Sequence, residues 1–475
     1  MADGHFERLS AMDLSFLAME NGRAHMHIGS VSLYDAAPLR MEDGGIDFDR
    51  ILVFAEAQLH KFPRLRQRLA WVPGFAQPGW VDDEHFDLAF HIRHTALPRP
   101  GDVRQLKRLA GRILSQEFDR AKPLWEYWFV EGVAGDRFAV IAKLHHCLAD
   151  GVSGIAVGNL LVGPDPDYQP SPGAGWVPRP TPSGPRLVAD EMRHRIVAPV
   201  QLLRSRRTDA GPQAPPASTR RGILGLLGTA IRSGSATPLN VEVGPHRRFD
   251  WTRLPFDDVR TIGRYAGGTV NDVVLAVATG ALRDFLGRRG AVLDNLDFRV
   301  VVPVNVRSGA ERSSMGNRVS ELIVHLPLAE SDPWKRLLAV IESTQDLKTS
   351  GQAGAGDLMG QAVDLLPTQL VGPLFRLASR SSVANMILTN VAGPRVPVYL
   401  LGARQRETYP VVPMLANHAV GIALISYDDG LFWGFNADWD AVPDLHDLVQ
   451  HVEASFAELC AVVPGQESWT PAAED

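Results

Sequence analysis

Two adjacent histidines, His145 and His146, close the apolar run FAVIAKL (138–144), and Asp150 and Gly151 follow within a few residues. A neutral imidazole, with an ordinary pKa of about 6.5, can take a proton from an alcohol as that alcohol attacks a carbonyl, then return it to the leaving group. Acyl transfer can proceed this way without an enzyme nucleophile. The base contributes about 10²–10⁴-fold, and each donor aimed at the oxyanion about 10²–10³-fold. If the run is a buried strand, its side chains alternate, so the two histidines leave its end on opposite sides and only one enters a given cavity. Asp150-Gly151 then turns the chain into a helix beginning near VSGIAV.

Other chemistries compete for the same residues. The plainest is a satisfied pair of core histidines. His, His and Asp are all metal ligands, but adjacent strand histidines diverge and there is no HExxH or other compact ligand set, so no metal is expected. Cys147 beside His146 invites a thiol nucleophile, although a buried cysteine is normally inert packing. GAGDLMG (354–360) has the wrong spacing for a dinucleotide loop and reads as a flexible loop, so no cofactor is expected.

The elements that would position the histidines are legible as patterns. FDRILVFAEAQLHKFPRLRQRLA (48–70) has the spacing of an amphipathic helix, FDLAFHIRHTAL (86–97) alternates like a strand, and 103–118 is again helical. LWEYWFVEGV and DRFAVIAKLHH read as two strands around Ala-Gly-Asp at 134–136. From 164 to 245 the chain is rich in Pro, Gly and Arg, the composition of a connector, with short amphipathic helices expected at 186–207 and 220–234. Eleven arginines face five acidic residues between Arg186 and Asp250, a balance that suits a linker helix on the protein or an anionic lipid surface. Beyond it, 269–290 predicts a helix capped by Thr269 or Asn271. Strands are expected at FRVVVPVNVR, ELIVHLPL, MILTNVAG and a hairpin around Asp428-Asp429-Gly430. Three regions follow: an N-terminal subdomain 1–163, a linker 164–245 and a C-terminal subdomain 246–475.

Bulk properties narrow the function. At 475 residues, 45% hydrophobic and 21% charged, the chain can bury a large core, and a net charge of -6 gives no basic field for nucleic acid. Two cysteines make no disulfide framework, which fits a reducing compartment. The first residues lack the basic start and apolar run of a signal peptide, and no run of 18 apolar residues predicts a membrane span.

The stretch His145 to Gly151 matches the HHxxxDG signature of the CoA-dependent acyltransferase superfamily, which includes chloramphenicol acetyltransferase and the condensation domains of nonribosomal peptide synthetases. MDLSFLAMENGRAHMHIGSV (12–31), FPRLRQRL (62–69), FDLAFHIRHTALPRPG (86–101), PLWEYWFVEG (123–132), NDVVLA (271–276) and TNVAGP (389–394) together resemble the bacterial wax ester synthase/diacylglycerol acyltransferase family. The resemblance runs from residue 9 to about 460, the linker excepted.

That resemblance implies an α/β (α+β) fold of two chloramphenicol-acetyltransferase-like subdomains with mixed sheets and an active-site channel between them. His146 would be the general base, with His145 positioning or structural. Asp150 would hold the loop through an arginine or orient an imidazole, and Gly151 would permit the turn. Pro123, Leu124 and Trp125 match the family's Pro-Leu-Trp element, as core packing or as substrate contact. Asn271 and Asp272 would start a channel-facing helix or simply cap it. Thr389 and Asn390 would offer an oxyanion donor, in a motif where Ala392 replaces the usual proline. Implied partners are long-chain acyl-CoA as co-substrate, diacylglycerol or a fatty alcohol as acceptor, and a membrane or lipid-droplet surface contacted peripherally from the cytoplasm. A carrier-dependent condensation enzyme and a non-catalytic lipid-binding scaffold are the rival readings.

Overall fold

The structure, a computed structural model, describes residues 5–75, 77–148, 160–170, 175–208, 234–305, 319–349, 372–373, 375, 383–464 and 469–470. The expected strands around 134–136 form an antiparallel pair, Trp125–Val133 and Arg137–His145, joined through Gly135 and Asp136 at positive φ. They belong to a six-stranded mixed sheet ordered Tyr399–Leu400, Ala403–Val411, His27–Asp35, Arg137–His145, Trp125–Val133, Ile92–Ala96. Only its last pair is parallel. A second six-stranded sheet runs Val319–Leu326, Phe298–Asn305, Met386–Ala392, Val420–Tyr427, Gly430–Asp438, Arg247–Pro255, with Met386–Ala392 parallel to both neighbours. Helices Val270–Arg288 and Leu445–Val462 contribute to this sheet's core. The mixed α/β class is therefore as expected.

Two sequence expectations need correction. The helix over 48–70 stops at Gln58, passes through 3-10 turns at Leu59–Lys61 and Pro63–Arg66, and becomes the strand Gln67–Trp71. Pro63 has no N–H for a helical bond and drives Phe62 out of the helical region, to φ -132 and ψ 69. The strand over 86–97 begins instead with a helical turn, Leu88–His91, because Asp87 accepts the Ala89 N–H; extension starts at Ile92. The helix at 186–207 is present as Gly184–Thr208. The expected helix at 220–234 and the loop at 354–360 lie outside the described residues.

The two halves share structure. Ala403–Val411, from the C-terminal half, pairs with His27–Asp35 in the first sheet, and its Tyr409 and Val411 share a core with Val31, Leu33, Ile141, Trp251 and Phe432. Helix Val103–Leu114, with a capping box between Asp102 and Gln105, packs on Arg247–Pro255. Gly434 lets the two sheets approach: a Cβ there would stand 1.9 Å from the Pro410 carbonyl oxygen. Gly434→Ala should therefore lower stability by about 1–3 kcal/mol through forced backbone displacement. A denaturant midpoint equal to that of the native chain would refute this close approach.

Candidate active site

The end of Arg137–His145 is clamped from both sides. His145 donates its backbone N–H to Leu124 O (2.9 Å), and His146 donates its own to Met26 O (2.7 Å). Alternation places Phe138, Val140, Ala142 and Leu144 in one core and Ala139 and Ile141 in the core shared with the second half. Lys143 and His145 continue the latter face. His27 sits directly across the ladder from His145.

His145 is buried. Its Nδ1 accepts the Cys147 backbone N–H (3.1 Å), which puts the ring proton on Nε2. That nitrogen lies 3.3 Å from Glu20 Oε2, off the axis of a good hydrogen bond. Glu20 Oε2 also accepts from Arg120 (2.6 Å). Burial works to raise the Glu20 pKa, but His145 and Arg120 together hold the carboxyl well below its ordinary range.

His146 leaves the strand in the 3-10 turn His146–Leu148. Its ring stacks on Phe16, centroids 3.8 Å apart at 28°, and Phe16 is delivered by helix Ala11–Met19, whose cap is the Ser10 hydroxyl on the Asp13 N–H. His146 as a residue is half-buried, its imidazole is surrounded by protein, and its Nδ1 is buried without a partner. Burial lowers its pKa to about 4, so the ring is neutral near pH 7. A neutral, rigidly stacked imidazole with one enclosed nitrogen has its other nitrogen, Nε2, to offer for proton transfer. Cys147, by contrast, is buried with its thiol pKa pushed up by that burial, which makes it a poor nucleophile.

The other expected residues fall into three groups. Asp150 and Gly151 lie outside the described residues. Pro123, Leu124 and Trp125 are buried; Trp125 donates its indole N–H to Leu65 O (2.7 Å) and stacks on His91 (4.6 Å). They bear on the site by holding the strand end that carries the histidines. In the second half, Asn390 donates its amide to Asn271 Oδ1 (2.6 Å), so two residues from separate motifs meet. Thr389, beside them on Met386–Ala392, is half-buried. Asp272 is buried and accepts from the Thr269 N–H (2.7 Å) and Thr344 Oγ1 (2.6 Å), the hydrogen bonding of a helix cap, and Thr269 is the N-cap. Among the described residues no hydrogen bond links His146 to Thr389, Asn390 or Asn271.

Sequence reasoning passed over Glu20, Arg120, Phe16 and His27. The signal available was the His-x-His spacing at 25 and 27, which puts two imidazoles on one face of an extended segment just beyond a helix carrying Phe16.

Comparisons with known proteins identify the family and the fold. Residues 9–274 match the model of the wax ester synthase/diacylglycerol acyltransferase catalytic domain, and residues 315–460 that family's C-terminal domain. A Mycobacterium tuberculosis protein described as a probable diacylglycerol O-acyltransferase is 33% identical over 459 residues, 96% of each chain. The solved wax ester synthase/diacylglycerol acyltransferase from Marinobacter aquaeolei superposes with a TM-score of 0.65 at 25% identity, covering 95% of this chain and 98% of that one. The first condensation domain of the CDA synthetase shares the fold, with a TM-score of 0.53 at 16% identity over 96% of this chain and 97% of that one. The chain belongs to the wax ester synthase/diacylglycerol acyltransferase family of acyltransferases.

Proposed function

We propose that the chain transfers a long-chain acyl group from acyl-CoA to the free hydroxyl of diacylglycerol, making triacylglycerol, and that fatty alcohols serve as second acceptors to give wax esters. The observation that carries this reading is the neutral His146 imidazole, stacked on Phe16 at the end of a clamped strand. His146 Nε2 takes the hydroxyl proton as the oxygen attacks the thioester carbon. The C–O bond forms, the carbonyl becomes an oxyanion, and its collapse breaks the C–S bond. His146 returns the proton to the departing sulfur, releasing free CoA thiol and the ester. Thr389 Oγ1 and the Asn390 amide, steadied by Asn271, are the candidate donors to the oxyanion.

No described helix is long and apolar enough to cross a membrane. Helix Gly184–Thr208 exposes Met192, Ile196 and Val197 beside Arg193 and Arg195, which suits shallow contact with an anionic lipid surface where the acceptor resides. Free-thiol release from palmitoyl-CoA, measured with dioleoylglycerol or hexadecanol and with the lipid products resolved, tests the function. Release that depends on the acceptor and yields the matching ester is expected. Thiol release that required a phosphopantetheinyl carrier instead would favour a condensation-type reaction, and none at all would sink the enzymatic reading.

A further inference from the structure

Beside the histidine pair, and independent of the role given to His146, lies a buried group with unmet bonding capacity. One ligand atom from each of Glu20, His25 and His27 lies within 4.8 Å of the others. His25 is 5% exposed; the Ser115 backbone carbonyl lies beside its ring, but neither ring nitrogen makes a hydrogen bond of good geometry. His27 is 3% exposed, and its Nδ1 faces Leu114 O at 3.3 Å. A carbonyl can only accept, so Nδ1 carries the proton and the Nε2 lone pair points away from it. That lone pair faces Glu20 Oε1 at 3.8 Å with no hydrogen bond between them. Two acceptors turned toward each other inside a protein are costly unless a cation lies between them.

We propose that Glu20, His25 and His27 form a binding site for a divalent transition ion of the Zn²⁺ type. Imidazole and carboxylate are its ordinary ligands, and a ring held at Nδ1 by a backbone carbonyl while Nε2 binds is the usual support for a metal-bound histidine. Bonds of about 2.0–2.1 Å in a tetrahedron ask for ligand atoms about 3.4 Å apart, so small rotations of three side chains close the set. Glu20 binds through Oε1 while Oε2 keeps Arg120, which fixes the carboxylate. The ligands select the ion. Two of the three ligands are nitrogens, which disfavours Ca²⁺ and Mg²⁺ with their demand for oxygen. Because Glu20 also approaches His145, an ion here draws on the carboxylate beside the histidine pair.

The full chain, stripped with a chelator and titrated with Co²⁺, should take up one equivalent with visible d–d absorption, and Zn²⁺ should displace it. His25→Ala should weaken uptake by about 100-fold or more, and Glu20→Gln, which keeps the side-chain shape, by at least about 10-fold. His60→Ala, an exposed histidine outside the group, should leave it unchanged. Far-UV circular dichroism establishes that each variant is folded. Failure of the native chain to bind one equivalent, or native-like binding by both folded variants at the site, overturns the proposal.

Discussion

His146→Ala should lower turnover with palmitoyl-CoA and dioleoylglycerol by about 10²–10⁴-fold, the range for removing a general base, while leaving the fold in place. The residue is half-buried and its backbone N–H on Met26 O survives the substitution, so the strand end keeps its clamp. What disappears is the proton acceptor and its stacking on Phe16. The pH profile of kcat/KM separates this role from a structural one. Burial holds the His146 pKa down at about 4, so the neutral form that acts as base persists as pH falls through 6.5 and is lost only near 4. The same depression means that His146 contributes stability above the unfolded value of about 6.5, which is lost as pH falls from there toward 4. An acid limb near 6.5, or near-native turnover in a folded His146→Ala chain, would remove His146 from the role of base.

Much of this site was legible because its logic is local. An apolar run alternating into a His pair marks a strand end, and the Gly135-Asp136 turn before it closes a hairpin with the Trp125 strand. The helix start was legible to within two residues, Thr269 or Asn271, and the structure settles it on Thr269, whose hydroxyl and the Asp272 carboxylate form a capping box. Non-local pairing was not. Nothing in the residues of Ala403–Val411 says that they leave their own half to pair with His27–Asp35, because a strand's partner is set by which sheet edge is open when the halves meet. The same holds for Glu20: its meeting with His145, 125 positions on, depends on how a helix and two strands pack. Asn271 and Asn390 each carried a recognisable motif, yet only packing brings their side chains within 2.6 Å.

Trp125→Ala should lower stability by about 3–5 kcal/mol, the cost of emptying a fully buried indole site, against a total margin of about 5–15 kcal/mol for a typical domain. The indole has no exposed surface, its N–H satisfies Leu65 O, and its face supports the His91 ring, whose Nδ1 in turn bonds Trp125 O (2.8 Å). Removing the ring opens a cavity and at the same time deprives the Leu65 carbonyl of its donor. Its neighbour Leu124 supplies the carbonyl that holds His145, so slack at Trp125 reaches the histidine pair through one residue of backbone. Trp125→Phe keeps an aromatic filler and loses the N–H, and should cost only about 1–3 kcal/mol. Denaturant midpoints and steady-state kinetics on both variants decide between packing and substrate contact. A packing residue lowers the midpoint in the order Ala below Phe below Trp, with KM for acyl-CoA unchanged in Trp125→Phe. A substrate-contacting residue raises KM in both variants while the midpoint stays native, because energy spent on a ligand is absent from the free chain.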